Sequence, residues 1–244
     1  MKPTDIIHPS WTPILGELYK SKLSKLSTEV IPNIICYPKK DSIFRVLSMP
    51  IDSIKVVVIG QDPYPTPNYA NGLAFAVNIN NKVPVSLANI RKELIDSNCL
   101  ELHTAYAGNW QTLEHWEEQG IFLLNTALTV ESGKPASHTR YWEDFIKTLV
   151  YYIASKHPSI WLLWGRNAQQ LCNSMPRKEV FHVKGYTREL IEELPINPYW
   201  NYVLTAPHPA AESYNNGNAG FFGCDHFYFV NKILDKKGLK KINW

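Results

Sequence analysis

Four short apolar runs constrain the fold of this chain most strongly. They span residues 55–59, 120–124, 159–164 and 201–205, and none of them shows strict alternation of polar and apolar residues. Such runs are typical of strands that are covered on both faces of a parallel sheet. A helical pattern with apolar residues every three or four positions lies between two of them, at 141–155. This alternation predicts an α/β fold with a short, mainly parallel central sheet.

Further helical patterns occur elsewhere in the chain. They cover residues 86–97, 110–119 and 166–174, an N-terminal region at about 11–30 and a final helix near 227–237. We find no linker, repeat or low-complexity segment between these elements. A chain of 244 residues is long enough to bury one large core. We therefore expect a single domain over residues 1–244.

Composition sets bounds on location and partners. A hydrophobic fraction of 45% and a charged fraction of 19% are typical of globular chains, and the net charge of +3 permits DNA binding without requiring it. No signal sequence and no run of membrane-spanning length occurs. The cysteines are far apart, without metal-ligand spacing, and we expect reduced thiols at Cys36, Cys99, Cys172 and Cys224. We predict a cytoplasmic protein without a membrane partner.

Residue types that carry chemistry follow the apolar runs directly. In chain order these residues are Gln61 and Asp62, Asn125, Gly165 and Arg166, and His208. In open α/β sheets, ligands bind beyond the carboxyl ends of the strands. We therefore expect Asp62, Asn125 and His208 to share one cleft, although they are far apart in sequence. This pattern alone does not define a reaction.

Several sequence blocks carry a resemblance to a known family. The blocks are GQDPYP at 60–65, NGLAFAV at 71–77, GIFLLNTALTV at 120–130, WLLWG at 161–165, TAPHP at 205–209 and GFFGCDHF at 220–227. In this order they resemble the family 1 uracil-DNA glycosylases, and the resemblance extends over nearly the whole chain. It implies a three-layer α/β/α domain that flips uracil out of DNA and hydrolyses its N-glycosidic bond. It also implies that no metal and no cofactor takes part.

The resemblance assigns two catalytic residues. Asp62 matches the acid that orients a water molecule and stabilises an oxocarbenium-like sugar. His208 matches the residue whose ring N–H stabilises the departing uracil anion. The alternatives are a solvated turn residue for Asp62 and a structural turn residue between prolines for His208.

Four further residues match the uracil pocket of the family. Asn125 corresponds to the amide that reads the base, and Phe75 to the ring that stacks on it. Tyr64 corresponds to the residue that excludes the methyl group of thymine, and Gln61 completes the pocket. The alternatives are a capping role at the strand end for Asn125 and a plain core position for Phe75.

The resemblance also indicates residues that would contact DNA. Ser86, Ser137 and Ser213 match positions that contact phosphates, and His138 lies beside one of them. For Ser86 and Ser137, a helix N-cap is the alternative. The expected partner is uracil-containing DNA, single- or double-stranded, and DNA-mimicking inhibitor proteins are a second class of partner. We expect the protein to act as a monomer.

Four positions depart from the usual family pattern. Pro65 replaces a His, Ala210 and Ala211 replace Ser and Pro, and Glu212 stands where an apolar Leu normally enters the duplex. A carboxylate inserted between bases near phosphates is unfavourable. We therefore expect that Glu212 does not enter the duplex and that Tyr214 fills the space left by the base.

Two other functions remain open at this point. A metal-dependent hydrolase could use Asp62, His208, Asp225 and His226, although no tight ligand spacing supports it. A DNA-binding relative without catalysis is the stronger alternative, because the loop after His208 is altered. The presence of Asp62, Asn125, Phe75 and His208 together favours the enzyme.

Overall fold

A five-stranded sheet forms the centre of the protein, and the computed structural model describes residues 6–16, 35–100 and 109–244 around it. In chain order the strands are β1 (Cys36–Tyr37), β2 (Val56–Gly60), β3 (Ile121–Asn125), β4 (Val130–Glu131), β5 (Ile160–Trp164), β6 (Val180–His182) and β7 (Asn201–Ala206). The sheet has the order β3-β2-β5-β7-β6, and all its pairings are parallel. β1 and β4 form a separate antiparallel pair.

Helices flank this sheet. They are α1 (Val85–Asp96), α2 (Glu114–Glu117), α3 (Thr139–Lys156), α4 (Arg166–Gln170), α5 (Ala211–Tyr214) and α6 (His226–Lys236). Short 3-10 helices occur at Pro9–Trp11, Lys40–Ser42, Arg45–Ser48, Ile51–Ser53, Trp110–Thr112, Leu171–Ser174, Arg177–Glu179 and Leu190–Glu193. None of the helices in the described ranges combines the length and the apolar character that crossing a membrane requires.

The burial of the strands confirms the three-layer α/β/α architecture. Every residue of β2, β3 and β5 is buried, so both faces of the sheet are covered. The apolar face that the sequence predicts for α3 is buried, from Trp142 to Ile153. The four cysteines are free thiols, as their spacing predicts.

The predicted elements agree with the structure except where the backbone breaks a pattern. The four predicted strands correspond to β2, β3, β5 and β7, with ends that differ by at most one residue. The helix predicted at 110–119 is divided, because Leu113 has a φ of 53° between the 3-10 helix Trp110–Thr112 and α2. β6 was not predicted, because it is only partly buried and lacks an apolar run. The N-terminal helix prediction lies mostly outside the described residues.

The register of the sheet sets the position of the site. Gly60 pairs with Asn125, so β2 and β3 end at the same level. At the end of β5, the N–H of Gly165 donates to the carbonyl of Ala206 in β7 (2.9 Å). The segments that follow these four strands therefore leave the sheet along one edge.

Candidate active site

A cavity of about 220 Å³ opens at this edge of the sheet. The residues that line it are Gly60, Gln61, Asp62, Pro63, Tyr64, Pro65, Phe75, Ser86, Asn125, Pro135 and His208. Asp62 and His208 thus lie in one cavity, together with all four residues that the sequence places in a uracil pocket. Asp62, Asn125 and His208 share one cleft, as their positions after the strands predict.

Asp62 is held by the loop before α3. Its Oδ2 accepts a hydrogen bond from the backbone N–H of Ala136 (2.5 Å). Burial raises the pKa of Asp62, and the bond from Ala136 offsets only part of that effect. Ala136 itself has a φ of 63°, in the left-handed region that an alanine rarely adopts. The donor that fixes this carboxylate therefore comes from a strained position.

The contacts of His208 define its tautomer. Its Nδ1 accepts a hydrogen bond from the backbone N–H of Ala210 (3.2 Å), so the neutral ring carries its proton on Nε2. Burial lowers the pKa of His208, which favours this neutral form. Gly165 has a φ of 86°, and a Cβ there would lie 3.0 Å from the Cβ of His208. Glycine at this position gives the ring its space.

Asn125 presents a polar atom without a partner. Its side chain is buried, and no donor among the described residues reaches its Oδ1. Gly60 lies directly beside it, and a Cβ on Gly60 would be 2.3 Å from this oxygen. A buried acceptor that stays unpaired costs about 1–3 kcal/mol, so such an atom in a cavity indicates a binding site. A capping role is not observed for this oxygen.

Phe75 has an unusual backbone conformation. Its φ is 64°, which for a bulky residue costs about 1–3 kcal/mol and is typical of functional sites. Its ring lies 5.6 Å from the ring of Trp164 and 5.9 Å from that of His208 (centroid distances). The hydroxyl of Tyr64 donates to the Phe75 carbonyl (3.2 Å). Phe75 therefore joins the core and also lines the cavity.

Comparisons with known proteins identify the family of this chain. A family model described as the uracil DNA glycosylase superfamily matches residues 48–235. The chain belongs to this superfamily. A uracil-DNA glycosylase of Buchnera aphidicola subsp. Acyrthosiphon pisum (strain Tuc7) is 37% identical over 243 residues, which cover 96% of this chain and 97% of that protein. The resemblance that the sequence blocks indicate is confirmed.

Solved structures give the same result for the fold. The crystal structure of mimivirus uracil-DNA glycosylase has a TM-score of 0.80 and 27% identity, covering 100% of this chain and 89% of that one. Mimivirus UNG Y322F in complex with UGI has a TM-score of 0.79 and 27% identity, covering 98% of this chain and 89% of that one. The superfamily fold therefore extends over essentially the whole chain.

The two serines near helix starts are not N-caps. Ser86 is the second residue of α1, whose N-cap is Pro84, and it lines the cavity. Ser137 precedes His138, the N-cap of α3, and its Oγ accepts from the backbone N–H of Glu131 (2.8 Å). The alternative role as a helix cap is therefore wrong for both residues. Contact with phosphate stays a prediction for them.

The ring of His138 lies mostly inside the protein. Only 8% of this residue is exposed, and its Nδ1 lies 3.0 Å from the Oγ1 of Thr129. This burial leaves His138 little surface for a partner, and its contact with DNA stays a prediction. Burial lowers the pKa of His138, which disfavours a positive charge towards a phosphate.

The loop after His208 departs most from the family pattern. Glu212 is only 2% exposed, and its carboxylate accepts backbone hydrogen bonds from Ala219, Phe221 and Phe222. It therefore faces the interior, as the unfavourable insertion of a charge predicts. Tyr214 is 85% exposed, so this glycosylase-like chain presents an aromatic ring at the surface of the same loop.

The residues proposed for a metal site do not converge. Asp62 and His208 line the cavity, but Asp225 pairs with Arg188. His226 is buried, with its Nδ1 accepting from the indole N–H of Trp164 (3.0 Å). Across the described ranges, no group of three or more His, Cys, Asp and Glu side chains is placed to hold a metal ion.

Some residues that support the site were not predicted. The side chain of Asn167 donates to Oε1 of Gln61 (3.0 Å), and the hydroxyl of Thr126 donates to the Gln61 carbonyl (2.6 Å). Both follow predicted strands closely, so the rule that identified Asn125 could have identified them. Ala136 and Ala210 act through backbone N–H groups, and no side-chain pattern indicates that role.

Proposed function

We propose that this protein removes uracil from DNA by hydrolysing the N-glycosidic bond, which leaves an abasic site. One observation carries the proposal: Asn125, whose buried Oδ1 has no partner among the described residues, lines the same cavity as Asp62 and His208. A site of this kind selects a ligand that supplies the missing donor. Membership of the uracil-DNA glycosylase superfamily supports uracil as that ligand.

The amide of Asn125 has the right polarity for uracil. Its Oδ1 accepts from the N3–H of uracil, and its Nδ2 donates to O4. Cytosine presents an acceptor at N3 and a donor at its exocyclic amine, so both contacts would be reversed. A site that must pair buried polar groups discriminates between such ligands by about 10⁴–10⁵. Phe75 stacks on the same base, a contact worth about 1–3 kcal/mol.

The two catalytic residues act on opposite ends of the breaking bond. The C1′–N1 bond breaks, and its electron pair leaves with uracil as an anion. The Nε2–H of His208 donates to O2 of uracil and stabilises charge that grows in the transition state. Asp62 orients the attacking water, stabilises the cationic sugar and takes the proton as the water oxygen bonds to C1′.

Release of free uracil from a uracil-containing oligonucleotide, measured in the presence of a chelator, tests this function. We expect uracil and an abasic strand in equal amounts. Loss of release on addition of the chelator would favour the metal-dependent hydrolase. Tight binding of the oligonucleotide without any release would favour a DNA-binding relative that lacks catalysis.

Replacing Tyr64 by Ala is expected to allow thymine release. Tyr64 lines the cavity and its hydroxyl is anchored on the Phe75 carbonyl, so its ring occupies a fixed place. Removing the ring creates space for the C5 methyl group. The measurement is thymine release from a thymine-containing oligonucleotide, with Tyr64→Phe as the control that keeps the ring. If Tyr64→Ala releases only uracil, another residue excludes thymine.

Replacing Tyr214 by Ala is expected to impair activity on duplex DNA more than on single strands. We propose that the exposed ring of Tyr214 fills the space that the flipped base leaves in the stack. Such stacking is worth about 1–3 kcal/mol, and a single strand has no partner stack to maintain. The measurement is kcat/KM on both substrates, with Tyr214→Phe as the control. Equal losses on both substrates would contradict this role.

Other properties follow as proposals from the family. We propose that the protein flips the target base, folds as a single domain over residues 1–244 and acts as a monomer in the cytoplasm. Ser86, Ser137 and Ser213 are proposed to contact phosphates. The mimivirus enzyme variant bound to UGI supports the proposal that DNA-mimicking inhibitor proteins bind here as well.

A further inference from the structure

Two buried carboxylates hold the backbone after the loop that follows His208. The Oε2 of Glu212 accepts from the N–H of Ala219 (2.9 Å), and its Oε1 accepts from those of Phe221 (2.5 Å) and Phe222 (2.9 Å). The carboxylate of Glu93, which is 1% exposed, accepts from the two residues Gly223 (2.8 Å) and Asp225 (3.2 Å). The two acids therefore share one short segment, 219–225.

The two acids face different parts of the molecule. Glu93 lies on α1 and holds the residues at the start of α6, where Asp225 is the N-cap. Glu212 lies inside α5 and closes the loop on itself, because its carbonyl also accepts from the N–H of Gly217 (2.9 Å). Of the two acids, Glu212 is the one whose hydrogen bonds close a loop, and this loop consists of residues 213–218 and includes the exposed Tyr214.

The enclosed loop lies beside the cavity. The N–H of Ala211 donates to the carbonyl of His208 (2.8 Å), so the first residue of α5 is bonded to the backbone of the proposed catalytic residue. Asn89 ties the same region to α1, donating to the Pro209 carbonyl (2.8 Å) and to Oγ of Ser213 (3.2 Å). Asn89 lies three residues after Ser86, which lines the cavity.

The charge of Glu212 suits this role. Burial alone opposes ionisation, but the backbone N–H bonds outweigh it and lower the pKa of Glu212. An apolar side chain at this position would leave several backbone N–H groups without partners, each costing about 1–3 kcal/mol if they stay buried. A loop whose backbone N–H groups donate inward therefore requires an acceptor here.

We propose that Glu212 is a positioning residue for DNA binding: its carboxylate fixes the loop that presents Ser213 and Tyr214 beside His208, without touching DNA itself. This inference rests on the proposed function. It assigns a role to the position where this chain differs most from its family pattern. It also makes the loop geometry depend on a buried charge instead of an apolar contact.

The test compares Glu212→Gln with Glu93→Gln, a matched loss of a buried carboxylate that holds the same segment. Both variants should lose thermal stability. Both are measured in an Asp62→Asn background, which binds DNA without turnover. We expect Glu212→Gln to raise the Kd for uracil-containing duplex DNA by about tenfold. Glu93→Gln should change that Kd by no more than about twofold.

Steady-state kinetics with Asp62 intact distinguish a positioning role of Glu212 from a general loss of folded structure. Glu212→Gln should raise KM for the duplex and leave kcat close to that of the unsubstituted protein. An unchanged Kd in Glu212→Gln, or an equal loss in Glu93→Gln, would overturn the proposal. Absence of uracil release by the unsubstituted protein would overturn the proposed function instead, and the Kd comparison would still decide the role of Glu212.

Discussion

Replacing Asp62 by Asn is expected to lower kcat for uracil release by about 10²–10⁴, the usual effect of losing a general base. The fold should persist, because an Asn side-chain oxygen can still accept the hydrogen bond from Ala136. The neutral amide can neither take a proton from water nor stabilise a cationic sugar. The measurement is single-turnover release of uracil from an oligonucleotide.

DNA binding serves as the control for this variant. The Kd of Asp62→Asn for uracil-containing DNA should stay close to the value before substitution, because Asn125, Phe75 and His208 are unchanged. Removing a negative charge reduces repulsion from the DNA phosphates, so no loss of affinity is expected. Turnover close to that of the unsubstituted protein would refute the catalytic role of Asp62.

The pH profile gives the same variant a second readout. Burial raises the pKa of Asp62, so the active carboxylate form is lost at a higher pH than for an exposed Asp as the solution is acidified. Burial lowers the pKa of His208, so its ring stays neutral to a lower pH than that of an exposed histidine. We expect kcat/KM to fall on acidification with Asp62 present, and this limb to be absent in Asp62→Asn. A limb that persists would assign the titration to another group.

The sequence predicts the centre of this fold because its strands are buried on both faces. Residues such as those of β2 must all be apolar, and a polar residue directly after such a strand must lie at the edge of the sheet. That rule alone places Asp62, Asn125 and His208 in one cleft. The family resemblance adds Tyr64 and Phe75, which lie in loops that no periodic pattern identifies.

The remaining features depend on backbone geometry that side-chain patterns do not encode. Ala136 fixes Asp62 through an N–H group in a left-handed conformation, and the sequence gives no sign of either property. From the sequence alone, Glu212 is a charged residue at a position where the family usually has an apolar one. Its function becomes clear only when the amides of Ala219, Phe221 and Phe222 are seen to surround it. Long-range backbone contacts of this kind depend on the complete fold.

Position 60 requires glycine because of such a long-range contact, and replacing this glycine is expected to reduce activity strongly. A Cβ added there would lie 2.3 Å from Oδ1 of Asn125 and 2.9 Å from Cβ of Ala74. Both distances are shorter than non-bonded atoms allow, so Gly60→Ala must displace the Asn125 amide or separate the strands. We expect kcat/KM for uracil release to fall towards the roughly 10⁴-fold loss that follows when a polar recognition site is broken.

Stability measurements distinguish loss of recognition from loss of fold in Gly60→Ala. Overpacking of this kind lowers the free energy of unfolding by about 1–3 kcal/mol. This loss is smaller than the stability of a typical domain, so the variant should fold. Gly16→Ala is the matched control, because no atom of the described residues lies within 4 Å of a Cβ built at Gly16, and it should retain full activity. Full uracil release by a folded Gly60→Ala would show that the Asn125 oxygen does not need its observed position. Recognition of the base through Asn125 would then be wrong.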